Sequence, residues 1–536
     1  MIKGFFSKND EKALLASAYK KYTQRDFGGA VIDYTSIIES NNQAFAAYYG
    51  RALSKYALRD NQGAKEDFNF ILKNNPGYSD RILFYLGVIS MKEGEIEKSC
   101  NFFTSYLKKN NDDAETYSQL ARAKTLLKAF EEAIKLLDKA IELDPANPEY
   151  LFQRGSVRVQ LKEYKTAILD FNAAIEINPK HAASYNSRGT VKRVQGDLDN
   201  AIIDFNKAVE IEPSFIDAIY NVASIKYDLN DFTDAIVYLD RALQLDDKYL
   251  DAYVLRANSK FKIDDPDDAI NDFSKVLEIQ PNNLDAYLNR GRIHRNLMDE
   301  AAAKSDFLHV LTIDPANTNA LTMLIEMEIE NKNYEQAAVF LTKLIEIEPQ
   351  NDSAYKQRGI VKFNQGNLND ASKDLTKAID LNAKSYEAYF YRAKIKNKLK
   401  DNYGAMADIS FALQNPEYLE AYMFRGMMKL EANEDYGASL DFSKAIKLNP
   451  KLAEAYFLRA KAYRNIDQQK DAEHDLSTAL KINPGYAEAY FLRAIINFET
   501  WDFKQTIKDC TSAIELDISY KEKLSPLMEK AKQKIL

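Results

Sequence analysis

The sequence predicts an all-α solenoid, a run of helical hairpins stacked end to end. Three observations carry this expectation. The octapeptide AEAYFLRA occurs at Ala453–Ala460 and again, letter for letter, at Ala487–Ala494, so the two copies start 34 residues apart. A 34-residue frame slid outward from Ala453 stays in register across almost the whole chain, through about fifteen copies. Within each copy, apolar positions fall at helical spacing in two stretches with a capping residue between them. A chain of 536 residues would otherwise suggest three or four globular domains. The repeat makes one array the better expectation.

With Ala453 as slot 1, the copies begin at Glu11, Phe45, Asp80, Ala114, Pro148, Ala182, Ile216, Leu250, Leu284, Thr318, Asp352, Tyr386, Leu419, Ala453 and Ala487. Register slips by one residue near Tyr78–Asp80 and near Asn415–Tyr418, where loops are expected. Slot 4 is bulky, with Tyr in ten copies, and slot 8 is small, with Gly155, Gly189, Gly291, Gly359 and Gly426 among its occupants. Slot 20 is Ala except at Ser99 and Thr506, and slot 24 is large and apolar in many copies, as at Phe171, Phe205 and Phe307. Spacings of 4, 7 and 8, then 20, 24, 27 and 28, describe two amphipathic helices. Small residues at slots 8 and 20 let the paired backbones approach.

Helix boundaries follow from the same frame. Slot 16 is Asp or Asn in ten copies, among them Asp197, Asp231, Asp265 and Asn333, and predicts an N-cap for the second helix. Pro266, Asp267 and Asp268 add a first-turn proline and acids at the positive end of the helix dipole. Proline at slot 32 in nine copies ends the second helix. The array is expected over residues 11–520, after a lead at 1–10. Residues 521–536 predict a C-terminal solvating helix, with Ser525 as cap, Pro526 at its first position and Leu527, Ala531 and Ile535 on one stripe.

A bulky slot 4, Gly or Ala at slot 8, Ala at slots 20 and 27, a large apolar slot 24 and Pro at slot 32, on a 34-residue period, resemble the tetratricopeptide repeat. The resemblance covers roughly residues 11–520. It implies stacked hairpins wound into a right-handed superhelix with a concave groove, and a scaffold that binds protein or peptide segments.

Arginine stands at slot 7 in ten copies, amid Ala, Tyr and Leu. These are Arg51, Arg154, Arg188, Arg256, Arg290, Arg358, Arg392, Arg425, Arg459 and Arg493. Sixteen residues later each of those copies has aspartate: Asp67, Asp170, Asp204, Asp272, Asp306, Asp374, Asp408, Asp441, Asp475 and Asp509. Five copies lack the arginine: in four of them both slots are apolar or aromatic, as in Leu86 with Phe102 and Val222 with Tyr238, and only the first, with Ser17 and Asp33, breaks the rule. Such joint switching predicts structural ion pairs across each hairpin, because losing one partner strands a charge at a cost of about 3–5 kcal/mol. Ten separate ligand sites would not switch in pairs.

The resemblance implies that slots 2, 5, 9, 12 and 13 of the first helix face the groove. Slot 5 holds Tyr49, Phe84, Phe152, Tyr220, Phe390, Phe457 and Phe491, and slot 12 includes Tyr22, Tyr56, Tyr227, Phe261, Phe363 and Phe498. Two helical turns separate those slots, so Tyr49/Tyr56, Tyr220/Tyr227 and Phe491/Phe498 are expected to pair. These aromatics read either as anchors for a partner segment or as packing between neighbouring helices. Slot 11 is mostly basic, from Lys21 to Lys429, and reads either as a steering ladder for an acidic ligand or as long stems with their heads paired to local acids. The clamp by which repeats of this family hold chaperone tails is incomplete: Asn258 and Asn289 match two of its slots, but Val254, Asn319 and Met323 lack its charges. The copy at 318–351 departs most, with Ile325 at the small slot and Glu328 reversing the ladder, and predicts a local change in helix packing.

Catalysis is not expected. His181, His294, His309 and His474 form no ligand motif, and the sequence has no HExxH, P-loop, GxSxG or Gly-rich dinucleotide turn. No catalytic residue, cofactor or metal site is predicted. Net charge is −8 with no basic arm, which disfavours nucleic acid as partner. Only Cys100 and Cys510 are present, there is no apolar run of membrane length, and MIKGFFSKNDEK has too short an apolar run for a signal, so a cytoplasmic protein is expected. The sequence thus predicts a non-catalytic protein–protein interaction scaffold that binds a peptide or protein segment in an aromatic-lined groove. The rival reading is a structural, self-assembling protein that forms homo-oligomers.

Overall fold

The computed structural model describes residues 8–535 and is all-helical there, with thirty-one α-helices and one 3₁₀ turn at Ile518–Tyr520. The helices alternate as hairpins. In thirteen of the fifteen copies the first helix begins at slot 1 of the sequence frame. The first copy starts earlier, at Lys8, and the third starts one residue late, at Arg81. Of the expected lead at 1–10, the first seven residues lie outside the described residues.

One turn geometry recurs. Slot 15 of every copy, from Arg25 to Trp501, has a left-handed backbone with φ between +57° and +83°. Only Gly94, Gly196 and Gly366 adopt it without a Cβ penalty; the other twelve are held there by the hairpin. The next residue serves both helices. Asp60 donates its backbone N–H to the Lys55 carbonyl at 2.9 Å, closing the first helix, and its Oδ1 accepts from Gly63 N at 2.9 Å, opening the second. Nine of the ten slot-16 Asp and Asn residues cap in this way. Asn333 does not: its amide donates to Glu328 instead, at 2.7 Å.

Packing inside a hairpin turns on slots 8 and 24. A Cβ placed on Gly291 would lie 2.7 Å from the Phe307 ring, and one on Gly426 would lie 2.6 Å from Phe442. Both phenylalanines are fully buried and seat directly against the glycine backbone in these copies, whereas Ala52 and Ala257 stand opposite the equally buried Phe68 and Phe273. The chain divides into two compact units at Pro281/Asn282, a junction between copies. In the first unit Phe205, Ile219, Val222, Leu239 and the alanines between them form an extended core. In the second, the largest core surrounds the divergent copy: Leu321, Leu324, Ile325, Phe340 and Leu341 pack with Phe307 and Val361. Ile325 is buried in the slot that is otherwise small, so bulk replaces close backbone approach there.

The C-terminal helix differs from its expected start. It spans Lys521–Ile535 and contains Pro526 in its interior, and Ser525 is not its cap. The earlier start seats Leu524 against Ala494, Cys510 and Ala513. The exposed Glu522 carbonyl, which Pro526 leaves without a donor, can face water. Ala531 is buried and Ile535 is largely exposed.

Candidate functional site

The structure brings all ten slot-7 arginines onto the ten slot-23 aspartates. In each pair Nη2 donates to Oδ1 at 2.6–2.7 Å. The Nε of each donates to Oδ2 at 2.7–3.1 Å, completing a bidentate fork. The aspartates are buried. A third contact was not legible in the frame. In at least eight of the arginines Nη1 donates backward to the preceding hairpin, among them to Thr35, Asp138, Asn172, Asp240, Thr342, Thr376, Ser443 and Ser477. One guanidinium therefore ties two helices of its own hairpin and one of its neighbour.

The slot-11 cations are paired as well. Lys55, Arg158, Lys192, Lys260, Lys362, Lys396 and Lys429 reach the slot-23 aspartate of their own copy at 2.7–3.0 Å. Lys21, Lys124 and Lys226 meet Asp33, Glu132 and Asp231. The ladder's heads are bound to local acids rather than left for a ligand. In the divergent copy the reversed charge is also matched: buried Glu328 pairs with Lys304 of the preceding hairpin.

The twelve groove aromatics are engaged inside the protein to different degrees. Phe84, Phe363 and Phe390 are buried, at 6, 8 and 7% exposure, and belong to the core. The other nine are half-buried. Slot-5 rings close on the loop that leads to the next hairpin: Tyr49 on Tyr78, Phe152 on His181, Tyr220 on Tyr249, Phe390 on Tyr418, Phe457 on Tyr486 and Phe491 on Tyr520, at 4.8–5.9 Å. Slot-12 rings turn across the hairpin instead, as with Tyr22 on Phe27, Tyr227 on Phe232 and Phe498 on Phe503, or reach the next first helix, as with Tyr56 on Tyr85 and Phe363 on Tyr391. Phe261 is half-buried too. Of the expected Tyr49/Tyr56, Tyr220/Tyr227 and Phe491/Phe498 pairs, Tyr56 contacts the next first helix and the other five rings contact loops and turns.

One cavity, of about 650 Å³, opens on the first-helix face of the copy that begins at Ala114. It lies among the helices Ala114–Leu126, Phe130–Leu143 and Pro148–Gln160. Leu126, Phe130, Leu137, Phe152 and Val157 supply an apolar lining, and Thr125, Gln153, Ser156 and Gln160 supply neutral polar groups. The sequence explains the space. Slot 12 is Thr125, where Tyr56, Tyr227 and Phe261 stand in other copies, and slot 24 is Leu137 rather than Phe. A comparison of copies for downsized slots, rather than for aromatic ones, would have found it.

Charge at the cavity is asymmetric. Glu149 is occupied: His181 and Gln153 hydrogen bonds, with Arg122 nearby, hold its carboxyl below the usual range. Arg122 and Lys128 also line the cavity and have no ion pair among the described residues. Such a site offers an apolar recess beside two available cations. Among the described residues no cluster of three or more His, Cys, Asp or Glu could hold a metal ion. Burial pushes the Cys510 thiol up to about 11, with Asp509 adding to the shift, and Cys100 is raised by burial as well, so neither is a ready nucleophile.

Family models match several of these copies. A family model described as TPR repeat matches residues 121–162, and models described as tetratricopeptide repeat match 148–181, 182–215, 216–249, 250–283, 284–317 and 442–474. The chain is similar to a tetratricopeptide repeat and J domain-containing co-chaperone, DNJ1, of Cryptococcus neoformans, 27% identical over 143 residues. It is also similar to the TPR repeat-containing protein MJ1428 of Methanocaldococcus jannaschii, 29% identical over 145 residues. Each match spans 25% of this chain, and 27% and 24% of the relatives' own lengths. Among solved structures it is similar to MamA, with 25% identity over 30% of this chain and 95% of that one and a TM-score of 0.28. A tetratricopeptide repeat protein from Parabacteroides merdae gives 20% identity over 46% of this chain and 96% of that one, with a TM-score of 0.39.

Proposed function

This chain is a tetratricopeptide repeat protein, and from that premise we propose that it is a non-catalytic scaffold that binds an extended segment of a protein partner along the face formed by its first helices. The observation that carries the reading is the cavity at Thr125, Phe130, Leu137 and Phe152. An apolar side chain of the segment fills the recess, and an acidic neighbour meets Arg122 and Lys128. Within the first unit the half-buried aromatics Tyr49, Tyr56, Phe152, Tyr220, Tyr227 and Phe261 add edges to the first-helix face, with Phe84 behind it in the core. Within the second unit Phe457, Phe491 and Phe498 do the same for that unit's first helices, with Phe363 and Phe390 behind them in the core. The ten arginine–aspartate forks keep the hairpins rigid, so a partner meets a preformed surface. A cytoplasmic setting, without nucleic acid or membrane insertion, belongs to this reading; among the described residues no helix is long and apolar enough to cross a membrane.

Panning a random peptide library on the full chain tests it. Enriched peptides should share an apolar residue flanked by acids, and Thr125→Tyr, which restores the aromatic of other copies, should abolish their retention while keeping helicity. Retention by the variant, or no enrichment on wild type, would refute the site.

One observation favours the rival, self-assembly. Leu169, Ile203 and Val237 recur at one slot of three successive second helices and are 61–65% exposed. They form an apolar row that a second copy could cover. A mass that rises with concentration in sedimentation, and falls with Ile203→Lys, would support that reading.

A further inference from the structure

The copy that begins at Tyr386 carries lysine at both slot 9 and slot 13, Lys394 and Lys398, a combination found in no other copy. The two lie one turn apart on the helix Tyr386–Lys398 and share a ring: Lys394 Nζ is 5.2 Å and Lys398 Nζ 4.7 Å from the centre of Phe363. Lys394 also stands 5.3 Å from Phe390 and 5.2 Å from Tyr391, so three rings surround its ammonium. Neither lysine has a carboxylate partner among the described residues. Their neighbour Lys396, on the other side of the helix, is held by Asp408 at 2.8 Å.

This arrangement is unfavourable as it stands. Like charges four residues apart on a helix repel. Ring faces attract a cation, but three rings do not replace the water that burial removes from it. Burial, then the Lys398 charge, pushes the Lys394 ammonium below its ordinary pKa, and no acid acts in the other direction. One anionic oxygen pair placed between the two ammoniums would relieve the repulsion and the desolvation together.

We propose that Lys394 and Lys398, over Phe363, Phe390 and Tyr391, form an anion-binding subsite that receives the carboxylate of a glutamate or aspartate in an extended partner segment. The proposal rests on the scaffold reading and specifies the partner's chemistry in the second unit. The buried rings of Phe363 and Phe390 position the two ammoniums from below, and the lysines hold the head of the acidic side chain. With a net charge of −8 the chain repels acidic segments in general, so such a local cation pair also fixes where one can settle.

The test uses the full chain and two fluorescein-labelled octapeptides, one alternating Glu and Leu and one alternating Gln and Leu, read by anisotropy. Wild type should bind the Glu peptide about tenfold more tightly than the Gln peptide, the value of roughly one charge-assisted hydrogen bond. Lys394→Met/Lys398→Met should lose that preference, and Lys394→Arg should retain it. Methionine suits the aromatic surroundings, and helicity by circular dichroism checks folding. Acetic anhydride labelling read by mass spectrometry gives an independent measure: the Glu peptide should protect Lys394 and Lys398 and leave Lys396 unchanged. Equal affinity for the two peptides, no binding of either, or unprotected Lys394 would overturn the subsite. If the preference is lost in the double variant but survives Thr125→Tyr, the subsite holds even where the cavity reading fails.

Discussion

Arg459 binds two hairpins at once: Nε and Nη2 each donate to a separate oxygen of Asp475 at 2.7 Å, and Nη1 donates to Ser443 of the hairpin before at 2.9 Å. The guanidinium is planar and its donors are fixed as a fork, so the contact sets an angle between helices as well as a distance. Arg459→Leu should destabilise its hairpin by about 3 kcal/mol, because Asp475 stays buried without its partner. Arg459→Leu/Asp475→Leu should recover to within about 1 kcal/mol of wild type, since other copies carry apolar pairs in these slots. Hydrogen exchange in the helices Ala453–Asn465 and Gln469–Ile482 reads both effects locally, which suits a chain whose repeats need not unfold together. A double variant no more stable than the single one would make the fork indispensable.

The hairpins and the forks were legible because each is written many times. A slot that is glycine at 155, 189 and 291, or an arginine that always brings an aspartate sixteen residues on, separates geometry from accident. What resists such reading is whatever depends on the neighbouring copy or on one copy alone. Arg459's contact to Ser443 uses a slot whose occupant varies among Thr, Ser, Asn and Asp, so no single residue type marks it. The aromatics at slots 5 and 12 share a helix face, yet Tyr220 turns to Tyr249 and Tyr227 to Phe232, because loops and turns offer nearer rings. The cavity at Thr125 is an absence of bulk. A periodic pattern hides absences.

Glycine substitutions separate crowding from backbone freedom. At Gly291 a methyl group would meet the buried Phe307 ring at 2.7 Å and the Asp306 Cβ at 3.2 Å, so Gly291→Ala should cost about 1–3 kcal/mol. Gly28 lies exposed in the helix Phe27–Ser40 with nothing within 4 Å of an added Cβ, and Gly28→Ala should stabilise by about 0.5–1 kcal/mol. Chemical denaturation followed by circular dichroism should move in opposite directions for the two variants.

Alkaline pH should weaken the C-terminal hairpins in a defined window. Burial raises Cys510 from its ordinary value of 9 to about 11, and raises Tyr486 from 10 to about 12 with the help of Glu454 and Glu488. Both acids are neutral in the folded protein over a range in which the unfolded chain would already be ionised, so the unfolded state binds fewer protons. The stability they contribute is complete below pH 9 and is lost as pH rises through 9–11 for the thiol and 10–12 for the phenol. Melting temperature should fall across those ranges, with tyrosinate absorbance at 295 nm lagging the titration of free tyrosine until unfolding. Phenols that titrate normally in the folded protein would contradict the burial.

Trp501, the sole tryptophan, occupies the left-handed turn position at φ 71° and is 73% exposed. A bulky side chain is costly in that backbone region, by about 1–2 kcal/mol, whereas Asn230 and Asn433 hold the same turn elsewhere. Against that cost stand an edge contact to Phe503 at 5.8 Å and a cation–ring approach from Lys534 at 6.0 Å, together about 1 kcal/mol at an exposed site. The strain outweighs the contacts only narrowly, so Trp501→Asn should stabilise by about 0.5 kcal/mol, measured by helical circular dichroism because the fluorophore is removed. Wild-type emission should be that of a water-exposed indole and should be quenched by iodide. If the variant is instead destabilised by more than about 1 kcal/mol, Trp501 anchors the Lys521–Ile535 helix through Phe503 and Lys534, and the turn's strain is offset by that docking.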